Sequence, residues 1–379
     1  MRFFRQLVAA NATAVKIVWN HFTGPRPLIQ RSVVYDLLPQ YPSWFTNSGH
    51  TAAKVRFLRK LRNEYSLDRV EECPYCKSNR FALLAKQERS GLPTSVALCL
   101  DCSLVVTNLR LNASALLDHY QKEYRDIERG ERPDLHRFMF NLQASKGPFL
   151  WEFLQKAGVR LGPESSMLDI GCGEGGLLHW FSTQTPISRI SGFELNKAAA
   201  AYGRQQGLDI HESVFSGSHE PYDLVVLEQV LEHLPSAGEL LTAIATSQKI
   251  GAWLYIGVPG ILNFPTGYGH NFIAYLQYAH MLHYCLHTLE RQIIPYGYRL
   301  VLGDETVRAL FQRTDEKPRH VSTAPVSADA ILQLLLDSEK QFLQAGSHLR
   351  NHWPDYRAYS KLLLQSWFDR GAADTRTGS

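Results

Sequence analysis

The sequence predicts an α/β chain built on a parallel twisted sheet, preceded by a small cysteine ribbon and flanked by helical segments. Three observations predict it. A buried strand-like run breaks into a glycine turn at Met167-Leu168-Asp169-Ile170-Gly171-Cys172-Gly173-Glu174-Gly175-Gly176. Downstream of that turn, apolar runs and helical stretches alternate, the pattern of strands joined by crossover helices. Upstream of it, two Cys-x-x-Cys pairs stand twenty-two residues apart.

The elements follow in order. Ser166–Ile170 is the first strand of the large sheet, Ile187–Glu194 the second, and Asn196–Gln206 the helix after it. Leu208–His211 is a short third strand, Asp223–Leu227 the fourth and Trp253–Val258 the fifth. Tyr298–Gly303 and Val307–Arg313 form a closing antiparallel pair. In such a sheet ligands bind at the C-terminal strand ends.

The glycine turn lies at one of those ends. A backbone that wraps closely around a ligand needs glycine, because a Cβ clashes or forbids positive φ. The amides opening the following helix then point at the ligand. Glu194 ends the next strand-like stretch, where a carboxylate can accept hydrogen bonds from both hydroxyls of a ribose. Gly171, Gly173 and Gly176 satisfy the dinucleotide fingerprint G-x-G-x-x-G. Asp169, two residues before the first glycine, argues against a dinucleotide: it suits a cationic ligand and repels a pyrophosphate.

The order LDIGCGEGG, GFELN, YDLVVLEQVLEHL resembles the class I S-adenosylmethionine-dependent methyltransferases, over the stretch from Phe138 to Arg313. The resemblance implies a Rossmann-like seven-stranded methyltransferase sheet with S-adenosylmethionine as cofactor. It puts Asp169, Gly171, Cys172, Gly173 and Gly175 at the methionine and sulfonium end. Glu194 falls at the ribose with Leu195 next to it, and Glu228 and Gln229 lie beside the cofactor.

Six cysteines occur, and four of them, Cys73, Cys76, Cys99 and Cys102, form the two pairs. Two cysteines three apart on a tight turn can aim both thiolates at one tetrahedral Zn²⁺, and a second such turn closes the shell. Four sulfurs leave no open position, so the expected zinc is structural. Two disulfides are the alternative, and they require an oxidising compartment. Cys172 and Cys285 read as lone thiols acting as small hydrophobes.

The expected organisation is a basic helical segment at 1–70, the zinc ribbon and linker at 71–125, the catalytic domain at 126–315, and a helical C-terminal extension with a disordered tail at 316–379. Residues 1–72 carry eleven Lys and Arg against five Asp and Glu. The first residues read as an amphipathic helix with Phe3, Phe4, Leu7 and Val8 on one side, which either packs on the protein or touches a membrane surface. A helix at Ala52–Asn63 carries Val55, Leu58 and Leu61 on one face and basic residues, read as solvated, on the rest. A helix is expected at Ser114–Tyr124 and amphipathic helices over Ala328–Trp367. No run approaches the ~20 apolar residues of a membrane span, and the N-terminus lacks a signal-peptide core, so the cytoplasm or its membrane surface is the expected location.

Residues Cys102–Arg110 followed by Tyr120–Arg125 resemble the linker of bacterial methyltransferases that carry an N-terminal zinc-binding region, many of which act on sugars and surface glycans. The expected acceptor is therefore a sugar, a sugar nucleotide or a surface glycan. A natural-product small molecule and an RNA are the alternatives. The net charge of +4 is too mild to argue for nucleic acid.

Transfer to a hydroxyl or an acidic carbon needs a base at the sheet edge. Glu232 and His233 follow the fourth strand, and Tyr268 and His270 follow the fifth. The Glu-His pair is reminiscent of sugar C-methyltransferases, which often place a tyrosine two residues before the glutamate. Val230 stands there in this chain, which leaves O-methylation open. The aromatic insert Pro259–Tyr296 reads either as a substrate cover or as core, since Tyr275, Tyr278 and Leu282 fall at helical spacing.

Overall fold

The computed structural model describes residues 48–89, 92–130, 133–315 and 320–344. Two sheets organise it. The larger has seven strands: β5 (Ser166–Ile170), β6 (Arg189–Phe193), β7 (Ile210–His211), β8 (Leu224–Glu228), β9 (Trp253–Gly257), β11 (Tyr298–Gly303) and β12 (Arg308–Arg313). Their spatial order is β11-β12-β9-β8-β5-β6-β7. All neighbours pair in parallel except β12, which is antiparallel to both β9 and β11.

These strands are apolar on both faces because helices cover both. Met167, Leu224, Val226 and Tyr255 pack against Leu154, Leu177 and Phe181 on one side. Leu168, Val225, Leu227 and Ile256, one residue out of phase, pack against Leu241, Ile244, Leu289 and Ile293 on the other. The strand order reverses at β5: β6 and β7 follow on one side of it, and β8 and β9 on the other, so β5 and β8 flank the topological switch. The crevice outside their C-terminal ends is where such sheets bind ligands.

The smaller sheet holds β1 (Leu67–Arg69), β2 (Phe81–Gln87), β3 (Pro93–Cys99), β4 (Val105–Leu111) and β10 (Leu282–His283). All its pairs are antiparallel, and β1 and β10 share one edge of β4. Residues 105–111 are thus one strand of the ribbon sheet, which extends through residues 108–111 of the expected linker. Its partner β10 belongs to the insert at 259–296. The insert is core more than cover: Phe264, Phe272, Tyr275 and Leu276 bury one face of the ribbon sheet together with Ile331 and Leu335 of the helix Ala328–Gln344.

The helix Ser48–Asn63 buries Phe57 rather than Leu58, while Leu61 of the expected face does pack against the core. Ala53, Lys54 and Phe57 are buried, whereas Leu58 is 39% exposed. Phe57 wins because it packs on His119 and Tyr278, with ring centroids 4.6 and 4.8 Å away. The basic residues are also less solvated than expected. Lys60 bridges Asp118 and Glu123, both at 2.7 Å, and Arg56 pairs with Asp126 at 3.3 Å. Lys54 lies next to Glu88, and burial lowers it to about 7. The expected helix at 114–124 is two: Ala113–Lys122 and Tyr124–Arg129. The amphipathic helix at the N-terminus, the tail, and the C-terminal helix beyond 344 lie outside the described residues.

Candidate active site

After β5 the chain turns through Gly171, Gly173 and Gly175, all at positive φ (75°, 59° and 81°). Gly176 then opens the helix Gly176–Gln184, and a Cβ on it would stand 1.9 Å from the carbonyl oxygen of Phe140. The helix Leu135–Ala144 is thereby pressed onto the loop. Gln143 Oε1 accepts from the Gly176 amide at 3.0 Å, and its Nε2 donates to Glu174 at 3.1 Å. His136 Nδ1 also reaches Glu174, at 2.9 Å, and Arg125 pairs with the same carboxylate. Glu174 is fully buried. It anchors Arg125, His136 and Gln143 to the glycine turn, a role its place inside the motif did not reveal.

Three further carboxylates converge on this turn. Glu194 accepts from the amides of Gly173 (2.8 Å) and Asn196 (2.6 Å), which aims it across the loop. Glu228 ends β8 and takes Lys146 Nζ at 2.7 Å. Asp169 is buried between them. Burial first, then Glu228 and Glu194, push its carboxyl well above the usual carboxylate range, against the pull of Lys146. A site with three acids and one lysine favours a cation and disfavours a phosphate. Gln229, next along, sits at φ 60°, its amide donating to the Gly257 carbonyl at 2.7 Å. A non-glycine residue in that region is strained, and such strain collects at ligand sites.

Other predicted residues fall as follows. Leu195 is 44% exposed beside Glu194. Cys172 turns inward, packed with Leu178, Ala200 and Ile210; burial raises its thiol well above the ordinary value. Val230 lies over Gly171, its Cγ2 2.5 Å from where a Cβ would be.

Glu232 and His233 occupy a single turn of 3-10 helix after β8. Glu232 is 1% exposed and neither of its carboxylate oxygens has a hydrogen-bond partner. Burial pushes it up to about 8. His233 Nδ1 donates to the Ala279 carbonyl at 3.1 Å, leaving Nε2 as the lone-pair nitrogen, 3.7 Å from Glu232 Oε1. Burial lowers His233 to about 4, so its ring is neutral. Tyr120 and Tyr124 wall this ring edge-on, at 5.3 and 5.7 Å, and His280 at 4.8 Å. The buried Tyr120 hydroxyl has no partner, and its ring lies in the field of both Glu232 and Glu194. Lys146, Tyr120 and His280 carry no spacing signal that points to this edge.

Tyr268 and His270 are brought elsewhere. Tyr268 packs on Tyr275 (5.6 Å), and His270, at φ 62°, faces Ser338 Oγ of the C-terminal helix at 3.5 Å.

The four paired cysteines meet. Cys73 Sγ lies 3.5 Å from Cys102 Sγ, and Cys76 Sγ 3.5 Å from Cys99 Sγ; all four lie within 4.8 Å of one another. Disulfide sulfurs stand ~2.0 Å apart. Thiolates ~2.3 Å from a tetrahedral Zn²⁺ stand ~3.8 Å apart, and the set fits that. The two knuckles are built alike. Lys77 and Ser103, each following the second cysteine, take φ of 62° and 64°. Each donates its amide to the first cysteine's carbonyl at 3.0 Å. Cys102 shares its proton with Cys73, which holds Cys73 down to about 5 and pushes Cys102 up.

Residues 135–302 match the family model of the methyltransferase domain. The chain is 34% identical over 100 residues to the ubiquinone biosynthesis O-methyltransferase of Caulobacter vibrioides, across 24% of this chain and 39% of that protein. It is 27% identical over 123 residues to the trans-aconitate 2-methyltransferase of Rhodococcus jostii, across 32% of this chain and 48% of that one. The chain thus spans less than half the length of these curated relatives. Among solved structures it overlaps an amino pentose methyltransferase from Micromonospora echinaspora with S-adenosylmethionine bound. That overlap has 22% identity and a TM-score of 0.26, over 30% of this chain and 50% of that one. Residues 135–302 are a class I S-adenosylmethionine-dependent methyltransferase domain.

Proposed function

We propose that this chain transfers the methyl group of S-adenosylmethionine to an oxygen of a sugar, a sugar nucleotide or a surface glycan. The observation that carries the reading is the convergence of Asp169, Glu194 and Glu228, with Lys146, on the glycine turn. A sulfonium and an ammonium match that charge. When the cofactor is bound it supplies an already activated methyl group. The chain must align an acceptor oxygen ~3 Å from the methyl carbon and deal with the acceptor's proton.

Glu232 and His233 act on the acceptor at the same sheet edge. The neutral ring of His233 has a free Nε2, and the unpartnered Glu232 carboxyl lies next to it. Tyr268 and His270, packed on Tyr275 and beside Ser338, are given no part in the transfer. Two observations favour oxygen over carbon as the receiving atom: Val230 stands where the sugar C-methyltransferases that the Glu-His pair resembles often place a tyrosine, and the Caulobacter vibrioides relative is named an O-methyltransferase. The resemblance of the 102–125 linker supports a sugar. The RNA alternative loses support because Lys60 and Arg56, two of its basic residues, are paired within the protein. Cys73, Cys76, Cys99 and Cys102 hold a structural Zn²⁺ that braces the ribbon. Among the described residues no helix is long and apolar enough to cross a membrane. Any membrane contact is assigned to the N-terminal segment.

The test is to incubate the full chain with methyl-labelled S-adenosylmethionine and a panel of sugar nucleotides, glycans, phenols and carboxylic acids. Label in an alkali-stable methyl ether on a sugar is the expected result. Label in a base-labile ester, or in a C-methyl group, overturns the acceptor assignment.

A further inference from the structure

Glu232, His233 and His280 each offer a ligand atom, and these three atoms lie within 4.8 Å of one another. All three residues are buried. We propose that they form a second metal site, distinct from the cysteine cluster, that binds one divalent first-row transition ion.

Geometry carries this. The His233 Nδ1–H is committed to the Ala279 carbonyl, so Nε2 presents a lone pair. It presents that pair to a carboxylate oxygen which has no donor of its own. No side chain donates to the buried Glu232 carboxyl, so either its own proton or a cation must offset its charge there. The separation of the nitrogen and the oxygen, 3.7 Å, is too long for a hydrogen bond. Two ligands that each stand ~2.1 Å from one tetrahedral ion are ~3.4 Å apart, and the two atoms lie within a few tenths of an ångström of that. His280 adds the second imidazole, and two imidazoles with one carboxylate leave open positions on the ion.

The supporting shell is in place as well. A metal-binding histidine commonly donates its other N–H to a backbone carbonyl, as His233 does. His280 is held by Thr107 of β4, whose hydroxyl donates to the His280 carbonyl at 2.6 Å. The Met281 amide donates to the Glu232 carbonyl at 2.7 Å, which fixes the insert to the 3-10 turn. The ligand set is thus pinned from both the ribbon sheet and the large sheet. The site itself rests on these side chains. Only its use, receiving an acceptor oxygen at an open position, rests on the methyl-transfer reading.

The test uses Co²⁺ alone, added to the full chain after chelation. A cysteine-bound Co²⁺ gives intense sulfur-to-metal charge transfer. A nitrogen- and oxygen-bound one gives weak visible bands without it. The expected result is a weak-band ion that is absent from Glu232→Gln and from His280→Ala and falls in affinity by at least tenfold in Glu232→Asp. S-adenosylhomocysteine titration of the same variants reports whether they fold and whether the cofactor reading holds, independently of the metal. Variants that bind S-adenosylhomocysteine yet keep the weak-band ion overturn the proposal. So does a wild-type chain that takes up Co²⁺ only at sulfur, which would leave Glu232 and His233 as a proton-sharing pair.

Discussion

The cysteine cluster and the Glu232–His233–His280 cluster were built in opposite ways. The cysteines come from two local turns of the same design, each with a left-handed residue after its second cysteine. Their spacing announces them. Glu232 and His233 come from the turn after β8, while His280 arrives from the insert, held by Thr107. No spacing rule connects these. The contrast teaches that a site made of short-range turns is written in the sequence, whereas a site made where two sheets meet is written only in the fold.

The largest expected effect breaks the local site. A structural zinc contributes on the order of 10 kcal/mol. Cys73→Ser or Cys99→Ser is therefore expected to lose metal by elemental analysis and to unfold the ribbon at ambient temperature. Because β4 also holds β10, the variant should lose protection from hydrogen exchange at residues 279–283. A variant that melts like the wild type removes the structural role.

Next in size is Glu174→Ala. It leaves Arg125 without its buried carboxylate, which costs about 3–5 kcal/mol. Urea unfolding checks this; a change under 1 kcal/mol would mean that Glu174 does not anchor the loop. Gly176→Ala forces a Cβ against the Phe140 carbonyl and should cost about 1–3 kcal/mol by the same measurement.

The smallest effect is a pH dependence. Asp169 is held protonated above its usual range in the empty site. Its folded value exceeds its unfolded one, so its contribution to stability is present at low pH and is lost as pH rises above about 4. A cation favours the ionised form, and binding one expels the proton. Affinity for S-adenosylmethionine should therefore rise with pH, by at most about tenfold per unit while Asp169 stays protonated. Calorimetry in buffers of different ionisation enthalpy detects the released proton. S-adenosylhomocysteine, which lacks the sulfonium, should release less.

The large sheet was legible because its strands are short apolar runs set off by turn residues. Each was read to within about three residues of its observed ends. The glycine turn was legible for a related reason: positive φ and close approach admit little but glycine, so Gly171, Gly173, Gly175 and Gly176 stand out. In the helix at 48–63 periodicity weighs Leu58 alike with Phe57, and only a tertiary partner, the ring of Tyr278, decides that Phe57 is buried. The insert could not be resolved between cover and core, since aromatic residues at helical spacing serve either use. Lys146 on Glu228 and Arg125 on Glu174 were invisible for the reason His280 was: each ion pair joins segments 49 or more residues apart.

The central claim is that Asp169, Glu194 and Glu228 make a cation-selective nucleoside site at the switch between β5 and β8. Titrating S-adenosylmethionine into the full chain and into Asp169→Ala, by calorimetry at neutral pH, tests it most directly. The account predicts micromolar binding to the wild type and at least a tenfold loss in the variant, with S-adenosylhomocysteine less affected. Equal affinity in both proteins, or no binding to a folded wild type, would contradict it.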